Sequence, residues 1–314
     1  MEFSQATRYI FPFYKFFAIT PFDISGPPGQ RQIQKNRKCF ILGNILTGLS
    51  LCFVLKELVI CSMNIFILED VVVLIALTAY FVMLLSAIIT SLAYHKKFIQ
   101  YYQEFTQISD RHPNCNKYFI NIFYLFIFEL VYYLVNITIT LTRANINSIY
   151  DSSLLVEFAY ILIEFYNFIF FSHFHLILIS TICVLKALNE NLLNSQIHIL
   201  DSFNKMFNLL EKIISISEIN LLSVIFLQFF WILASIFSFL LSILYSDRIQ
   251  IITNFCFVVN IFNYFVEYFV VLCFLIEQLK QEVRVIAKLF SILVGFGRPR
   301  SRTRVPNLIP DQFT

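Results

Sequence analysis

Leu154–Leu185 reads LLVEFAYILIEFYNFIFFSHFHLILISTICVL, an apolar run that carries Glu157, Glu164, His173 and His175 inside it. It exceeds the roughly 20 residues that a helix needs to cross a hydrocarbon core. It lacks the polar–apolar alternation of a barrel strand. Away from water such a segment satisfies its backbone only as a helix. Working outward, blocks of the same character occur at Phe40–Phe66, Val71–Tyr94, Tyr118–Leu141, Ile219–Tyr245 and Ile251–Ile276. The fold class predicted is an all-α membrane protein, a bundle of six transmembrane helices with long inner helix extensions.

The basic residues set the expected orientation. Six precede the first block (Arg8, Lys15, Arg31, Lys35, Arg37 and Lys38), and four follow the second (Lys96, Lys97, Arg111 and Lys117). Three follow the fourth block (Lys186, Lys205 and Lys212), and seven follow the last, from Lys280 to Arg304. Arg143 and Arg248 alone fall in the opposite loops, and Lys56 lies inside the first block. By the positive-inside rule the N-terminus and C-terminus are expected to be cytoplasmic, with an even number of spans between them.

Composition agrees: 58% of the residues are hydrophobic and 14% charged, with mean hydropathy +0.74, whereas soluble domains carry about 25% charged residues. This excludes a soluble enzyme. The net charge of +3 is mostly topological and points to no nucleic acid. Met1–Lys15 interleaves acidic, basic and aromatic residues, unlike a cleaved signal peptide, so the first span is expected to act as its own membrane-targeting signal. The seven cysteines lie in spans or on the inner side, without metal-ligand spacing, so neither disulfides nor zinc is expected. The sequon Asn136-Ile-Thr138 falls within the third span, where no glycan is expected.

Three regions follow: a cytoplasmic segment at 1–38, a helical membrane domain with cytoplasmic extensions at 39–290, and an irregular Arg/Pro-rich tail at 291–314. The first is expected to turn at Pro21, Pro27, Pro28 and Gly29 and to lie at the interface beneath the first span. Outer loops are expected around Leu68–Asp70, over Thr142–Ser153, and as a tight turn at Ser246–Gln250. None is large enough to bind a protein ligand, so a ligand would enter among the helices. On the inner side Leu185, Leu188, Leu192, Ile199, Phe203, Phe207 and Leu210 recur at helical spacing. The fourth helix is therefore expected to continue inward and a second helix to return to the fifth span. Leu279, Val283 and Ile286 form a similar face within Glu277–Phe290. These stalks either lie on the membrane or pack together. Packing is preferred, because they continue directly from spans. No internal repeat is visible, against a transporter built of duplicated units.

Ionisable and amide side chains within spans mark the candidate site, because each is costly in hydrocarbon. Glu157, Tyr160, Glu164 and Asn167 share one face of the fourth span. Asn260, Asn263, Tyr264 and Glu267 do the same in the sixth, while the third offers Glu129, Tyr133 and Asn136 and the fifth Gln228, Trp231, Ser235 and Ser238. Together they could line a pocket. The competing reading is interhelical hydrogen bonding alone. His173 and His175, two residues apart on a helix, point in different directions and do not suggest a shared metal. Lys56 and Glu57, being adjacent, are not expected to pair. Lys56 is expected to seek a carboxylate on another span and Glu57 to snorkel outward. The chain has no nucleophile–base pair, phosphate loop or metalloprotease motif, so no enzyme activity and no cofactor are expected.

The chain also resembles the insect gustatory receptor family over about residues 8–290. The matching stretches are Phe11-Pro-Phe-Tyr-Lys-Phe-Phe-Ala-Ile-Thr-Pro-Phe22, Leu188-Asn-Glu-Asn-Leu-Leu193, and Leu210–Ile216 followed by Glu218-Ile-Asn-Leu-Leu-Ser-Val-Ile-Phe-Leu-Gln228. The resemblance implies a ligand-gated cation channel of four subunits, homomeric or heteromeric, each with seven helices. It implies inner helices that form a shared anchor, a tastant pocket among the second to sixth helices, and a last helix that lines the pore. The pocket wall would comprise Glu129, Tyr133, Asn136, Glu157, Tyr160, Glu164, Trp231, Asn260, Asn263 and Tyr264. Its partners would be a small-molecule tastant, the other receptor subunits and membrane lipid.

The family's seventh helix, with its Thr-Tyr-x5-Gln-Phe signature, is not matched. Beyond Phe290 come Gly295-Phe-Gly-Arg-Pro-Arg-Ser-Arg-Thr-Arg304 and two further prolines, too charged and broken to span. The end reads as truncated or mis-spliced, and such a product is expected not to conduct by itself. A small secondary transporter, with its intramembrane glutamates as ion sites, is the alternative from another class. An odorant receptor is the nearer one.

Overall fold

The computed structural model describes residues 3, 10–15, 19–20, 22–26, 32–63, 68–148, 154–191, 196–245, 251, 255, 258–259, 262 and 266–296. Its helices are α1 (Phe11–Lys15), α2 (Arg37–Met63), α3 (Leu68–Arg111), α4 (Ile120–Ser148), α5 (Leu154–Asn191), α6 (Gln196–Tyr245) and α7 (Val271–Phe296). A 3-10 turn at Pro113–Lys117 joins α3 to α4, and a π-helical turn at Val266–Val270 leads into α7. Four segments are long and apolar enough to cross a membrane: Arg37–Met63, Leu77–Arg111, Asn114–Ile139 and Glu164–Glu190. The molecule is a helical membrane protein.

Helix boundaries follow local chemistry. Asn36 caps α2, its side-chain oxygen accepting the Cys39 N–H at 3.1 Å and so satisfying one of the donors that a helix start leaves open. Pro113 stops α3, since the residue before a proline is pushed out of helical geometry, and His112 has φ −122° and ψ 76°. At 44 and 50 residues, α3 and α6 reach about 66 and 75 Å. Each is roughly twice the hydrocarbon thickness, so both protrude well beyond it.

The pairing of side chains gives the helix directions. Asn44 donates to Ser91 at 3.1 Å, which runs α2 antiparallel to α3. Ser86 bonds Asn220, and His112 Nε2 lies 3.2 Å from Ser202 Oγ, so α3 and α6 are antiparallel along much of their length. On α4 and α5, Tyr118 meets Glu190 while Glu129 meets His175, again antiparallel. Phe171 and Asn189 of α5 meet Tyr268 and Glu282 in the same order, so α5 and α7 run parallel. One end of the bundle, here termed the base, thus holds the start of α2, α4 and α6 and the end of α3, α5 and α7.

Helix α5 is the central strut. Of its apolar stretch 94% is buried, against 17% for α2, as expected of a helix that is apolar all round. The outer helices turn apolar side chains outward: Ile41, Ile45 and Leu49 on α2, Phe128, Val131 and Val135 on α4, and Ile219, Leu222, Phe226, Phe229, Leu233 and Ile236 on α6 are all exposed. Water would oppose such a surface; lipid does not. Many hydroxyls in these helices bond their own preceding turn, as Thr47 does to Gly43 O (2.9 Å) and Thr181 to Ile177 O (2.9 Å), and so carry no signal of function.

Several expectations are corrected. The N-terminal aromatics are drawn into the bundle: Phe3, Phe11, Tyr14 and Phe22 are buried, with Phe3 and Phe11 set against Tyr102 of α3. An unexpected antiparallel hairpin follows, β1 (Phe22–Ser25) on β2 (Gln32–Lys35), which leaves β1 through Gly26 at φ 97°, a conformation glycine adopts without a Cβ clash. Helix α3 already begins at Leu68, and α4 runs on to Ser148, into the stretch read as loop. Helix α7 continues to Phe296, past the boundary drawn at 290. Among the described residues Lys56 reaches no carboxylate on another span; its Nζ lies 3.7 Å from Glu57 Oε1, with the lysine side chain 60% exposed. Two long stems bend together there, and a pair so exposed contributes little. Leu192, the Ser246–Gln250 turn and the tail beyond Phe296 lie outside the described residues.

The inner helices pack as stalks. Met206, Leu209, Leu210 and Ile213 of α6 are buried, as are Leu185 and Leu188 of α5. His112 sits half-buried at the α3–α6 contact, where burial first and the neighbouring Arg111 second hold its pKa below the ordinary histidine value. The folded state therefore favours the neutral ring. As pH falls below about 6.5 the unfolded chain takes up more protons, and stability drops. The unfolding midpoint is expected to fall between about pH 7 and pH 5, and His112→Gln to flatten that part of the profile.

Candidate functional site

Polar side chains gather along α5. Glu164 Oε1 accepts a hydrogen bond from the Tyr80 hydroxyl of α3 at 2.8 Å. Its second oxygen is buried and has only the side-chain amide of Asn167 to interact with, one turn further along and fully buried. Two buried polar groups that have little besides each other are costly. The pair presents one strong acceptor and one donor–acceptor group to whatever reaches them.

A second polar group lies on another side of the helix. His175 Nδ1 stands 2.6 Å from Glu129 Oε1 of α4, the side chains being 1% and 2% exposed. The imidazole N–H donates and the carboxylate accepts. Next to it, the Tyr14 hydroxyl lies 3.0 Å from Ser172 Oγ, and the Tyr102 hydroxyl lies 2.9 Å from His173 Nε2. His173 and His175 thus take partners on different helices. Among the described residues no group of three His, Cys, Asp or Glu side chains is placed to hold a metal ion.

The residues singled out from sequence divide accordingly. Glu129, Tyr133 and Asn136 are buried on α4, and Tyr133 stacks on Phe168 of α5 with ring centroids 4.5 Å apart. Asn136, fully buried, also places the sequon inside the bundle. Glu164 instead faces Tyr80 on α3. The structure therefore does not join Glu129 and Glu164 in one continuous wall, because α5 stands between them. Glu157 and Tyr160 lie on α5 and Trp231 on α6, with their side chains outside the description. Asn260, Asn263 and Tyr264 lie outside the described residues altogether.

No protein-family model matches the chain, and no curated protein does. Function has to be argued from the interior itself. A cavity of about 30 Å³ lies between α3, α5 and α6, lined by Thr90, Ser91, His95, His173, Ser217 and Asn220 among others. It has room for about two waters, far below the roughly 300 Å³ of a small-molecule pocket. Ile19, Ala87, Phe98, Tyr166, Phe170 and Phe174 complete a lining that is mostly apolar, and at this size the cavity is a packing gap of the bundle rather than a ligand chamber. Sequence reasoning missed Tyr80, Tyr102, Tyr14 and Ser172. Tyrosines and serines are common in helices, and only the crossing of helices shows which hydroxyl faces a buried acid or imidazole.

Proposed function

We propose that the chain is a chemosensory receptor subunit of the insect gustatory type, which detects small polar tastants as part of a ligand-gated cation channel in the plasma membrane. In this reading six spans alternate from a cytoplasmic N-terminus, the base of the bundle faces the cytoplasm, and the stalks of α5, α6 and α7 meet those of other subunits in a tetramer. The observation that carries the reading is the Glu164–Asn167 pair. It is a buried acceptor set with unused hydrogen-bonding capacity on the central helix, on the face where the resemblance puts the pocket. Such a set would suit a hydroxylated or amine-bearing ligand.

The test is ligand response in cells that express the chain together with any partner subunits. Glu164→Ala is expected to raise the half-maximal ligand concentration about ten- to a hundredfold, the effect of leaving a ligand's polar group unpaired in a buried site, at unchanged surface expression. Tyr80→Phe, which releases Glu164 from its partner, is expected to shift it in the opposite direction or by less. An unchanged response in Glu164→Ala would remove the site.

One observation favours a second reading, a small secondary transporter. The Glu129–His175 pair is a buried acid and imidazole within the membrane domain, a combination found on proton paths. Uptake driven by a proton gradient and lost in His175→Ala would select that reading. A ligand-evoked cation current without uptake would exclude it.

A further inference from the structure

At the base of the α2–α3 hairpin, cations from three elements converge. Lys35 ends β2, Arg37 and Lys38 open α2, and Lys96 and Lys97 follow His95 on α3. Lys35 is held in place: its Nζ lies 3.2 Å from His95 Nε2 and 3.5 Å from the centre of the Phe40 ring, and that ring stands 5.2 Å from the His95 ring. His95 Nδ1 is 3.1 Å from Leu92 O, so Nδ1 carries the proton and Nε2 accepts from the lysine. Arg37, Lys38, Lys96 and Lys97 are exposed.

None of the five is paired with a carboxylate among the described residues. Asp23, the acid nearest in the hairpin, is engaged by Lys15 and by Asn36, whose amide donates to it at 2.9 Å. Burial, then Arg37, then Lys96 hold the Lys35 pKa below the ordinary lysine value, as expected of an ammonium crowded by like charges. The basic residues at the start of α2 also stand where a helix disfavours them. Lys35, Arg37 and Lys96 stand close enough to repel one another, and a structure that keeps them together without a paired acid is short of an anion at this place.

The adjoining surface shows what kind of anion. Directly above the cations, Ile41, Leu42 and Ile45 of α2 are 58%, 54% and 52% exposed, and Ile89 and Leu92 of α3 are 53% and 54% exposed. Apolar surface and cations therefore form one continuous strip, apolar toward the middle of the bundle and basic at its base. A soluble anion would use only the basic part. We propose that this strip is a binding site for an anionic phospholipid, whose phosphate headgroup is held by Lys35, Arg37 and Lys96 while its acyl chains lie on Ile41, Ile45, Ile89 and Leu92. Juxtamembrane basic clusters recognise anionic lipids by the same physics. The proposal rests on the membrane reading and is independent of the receptor assignment.

The test is native mass spectrometry of the purified full-length chain, with phosphatidylserine and phosphatidylcholine offered in equal amounts. The wild type is expected to retain phosphatidylserine preferentially. The K35Q/R37Q/K96Q variant is expected to lose that preference by roughly ten- to a hundredfold, given the contribution of each basic residue near a lipid surface. K280Q/R284Q/K288Q, which alters cations on α7, is expected to keep it. Should the first variant not fold, the wild type is titrated with sodium chloride, where the preference is expected to collapse as screening increases. No preference in the wild type, equal preference in both variants, or insensitivity to salt would overturn the proposal. Displacement of the lipid by millimolar inorganic phosphate would assign the cations to a soluble anion and overturn the lipid site.

Discussion

Glu129→Ala is expected to destabilise the bundle more than any other single polar substitution, by about 3 kcal/mol, because it leaves a fully buried imidazole without its hydrogen-bond partner. The reason lies in what is left behind. His175 is 1% exposed, its Nδ1 has Glu129 as its partner at 2.6 Å, and its Nε2 is buried without a hydrogen bond among the described residues. Without Glu129 neither nitrogen has a partner, and hydrocarbon cannot supply water to replace one. The double substitution Glu129→Leu/His175→Leu removes both polar groups. It is expected to recover most of the loss, because well-packed apolar side chains often serve as well as a buried pair. Thermal unfolding in detergent of both single variants and the double variant completes the cycle. A single variant as stable as the wild type would mean that the two side chains do not pair.

Phe171→Ala is expected to cost about 3–5 kcal/mol, as truncation of a buried phenylalanine commonly does. Phe171 is fully buried, and its ring stacks on Tyr268 with centroids 4.3 Å apart and planes 6° from parallel. Association of helices in lipid depends on such close packing rather than on water exclusion. The cavity left by alanine therefore weakens the seam between α5 and α7 in particular. Hydrogen exchange is expected to rise in α7 and its preceding π turn while α2 and α3 stay protected. A uniform rise across all helices would show that the seam is not a local unit.

How far this could be read from sequence depended on the interaction concerned. Four of the spans were legible because transfer into hydrocarbon is a property of local composition. The stalks were legible because Leu185, Leu188, Phe203, Phe207 and Leu210 keep a helical period outside the apolar blocks. The helix ends were misplaced where apolarity stops before backbone hydrogen bonding does: Arg143 to Ser148 read as loop, yet they continue α4. The run from Phe11 to Phe22 showed its apolar character but not its destination. Only the gap between α3 and α5 explains why Phe3, Phe11 and Tyr14 are buried. At the candidate site Glu129 and Glu164 were legible as costly residues that require partners. Their partners, His175 and Tyr80, were not, since each lies on another helix and helical spacing says nothing about crossing points. A shared helical face likewise could not show that the two glutamates are separated by α5.

The Glu164–Asn167 pair is proposed to receive a small polar ligand. The most direct measurement is ligand-induced thermal stabilisation of the purified chain across a panel of sugars, amino acids and amine-bearing bitter compounds, with Glu164→Gln run in parallel. Glu164→Gln keeps the shape but replaces one carboxyl oxygen by an amide donor. The account predicts that at least one class of polar ligand raises the unfolding midpoint of the wild type in proportion to the logarithm of its concentration, and that Glu164→Gln abolishes the rise. Stabilisation of equal size in Glu164→Gln, or none in the wild type with any compound, would contradict it.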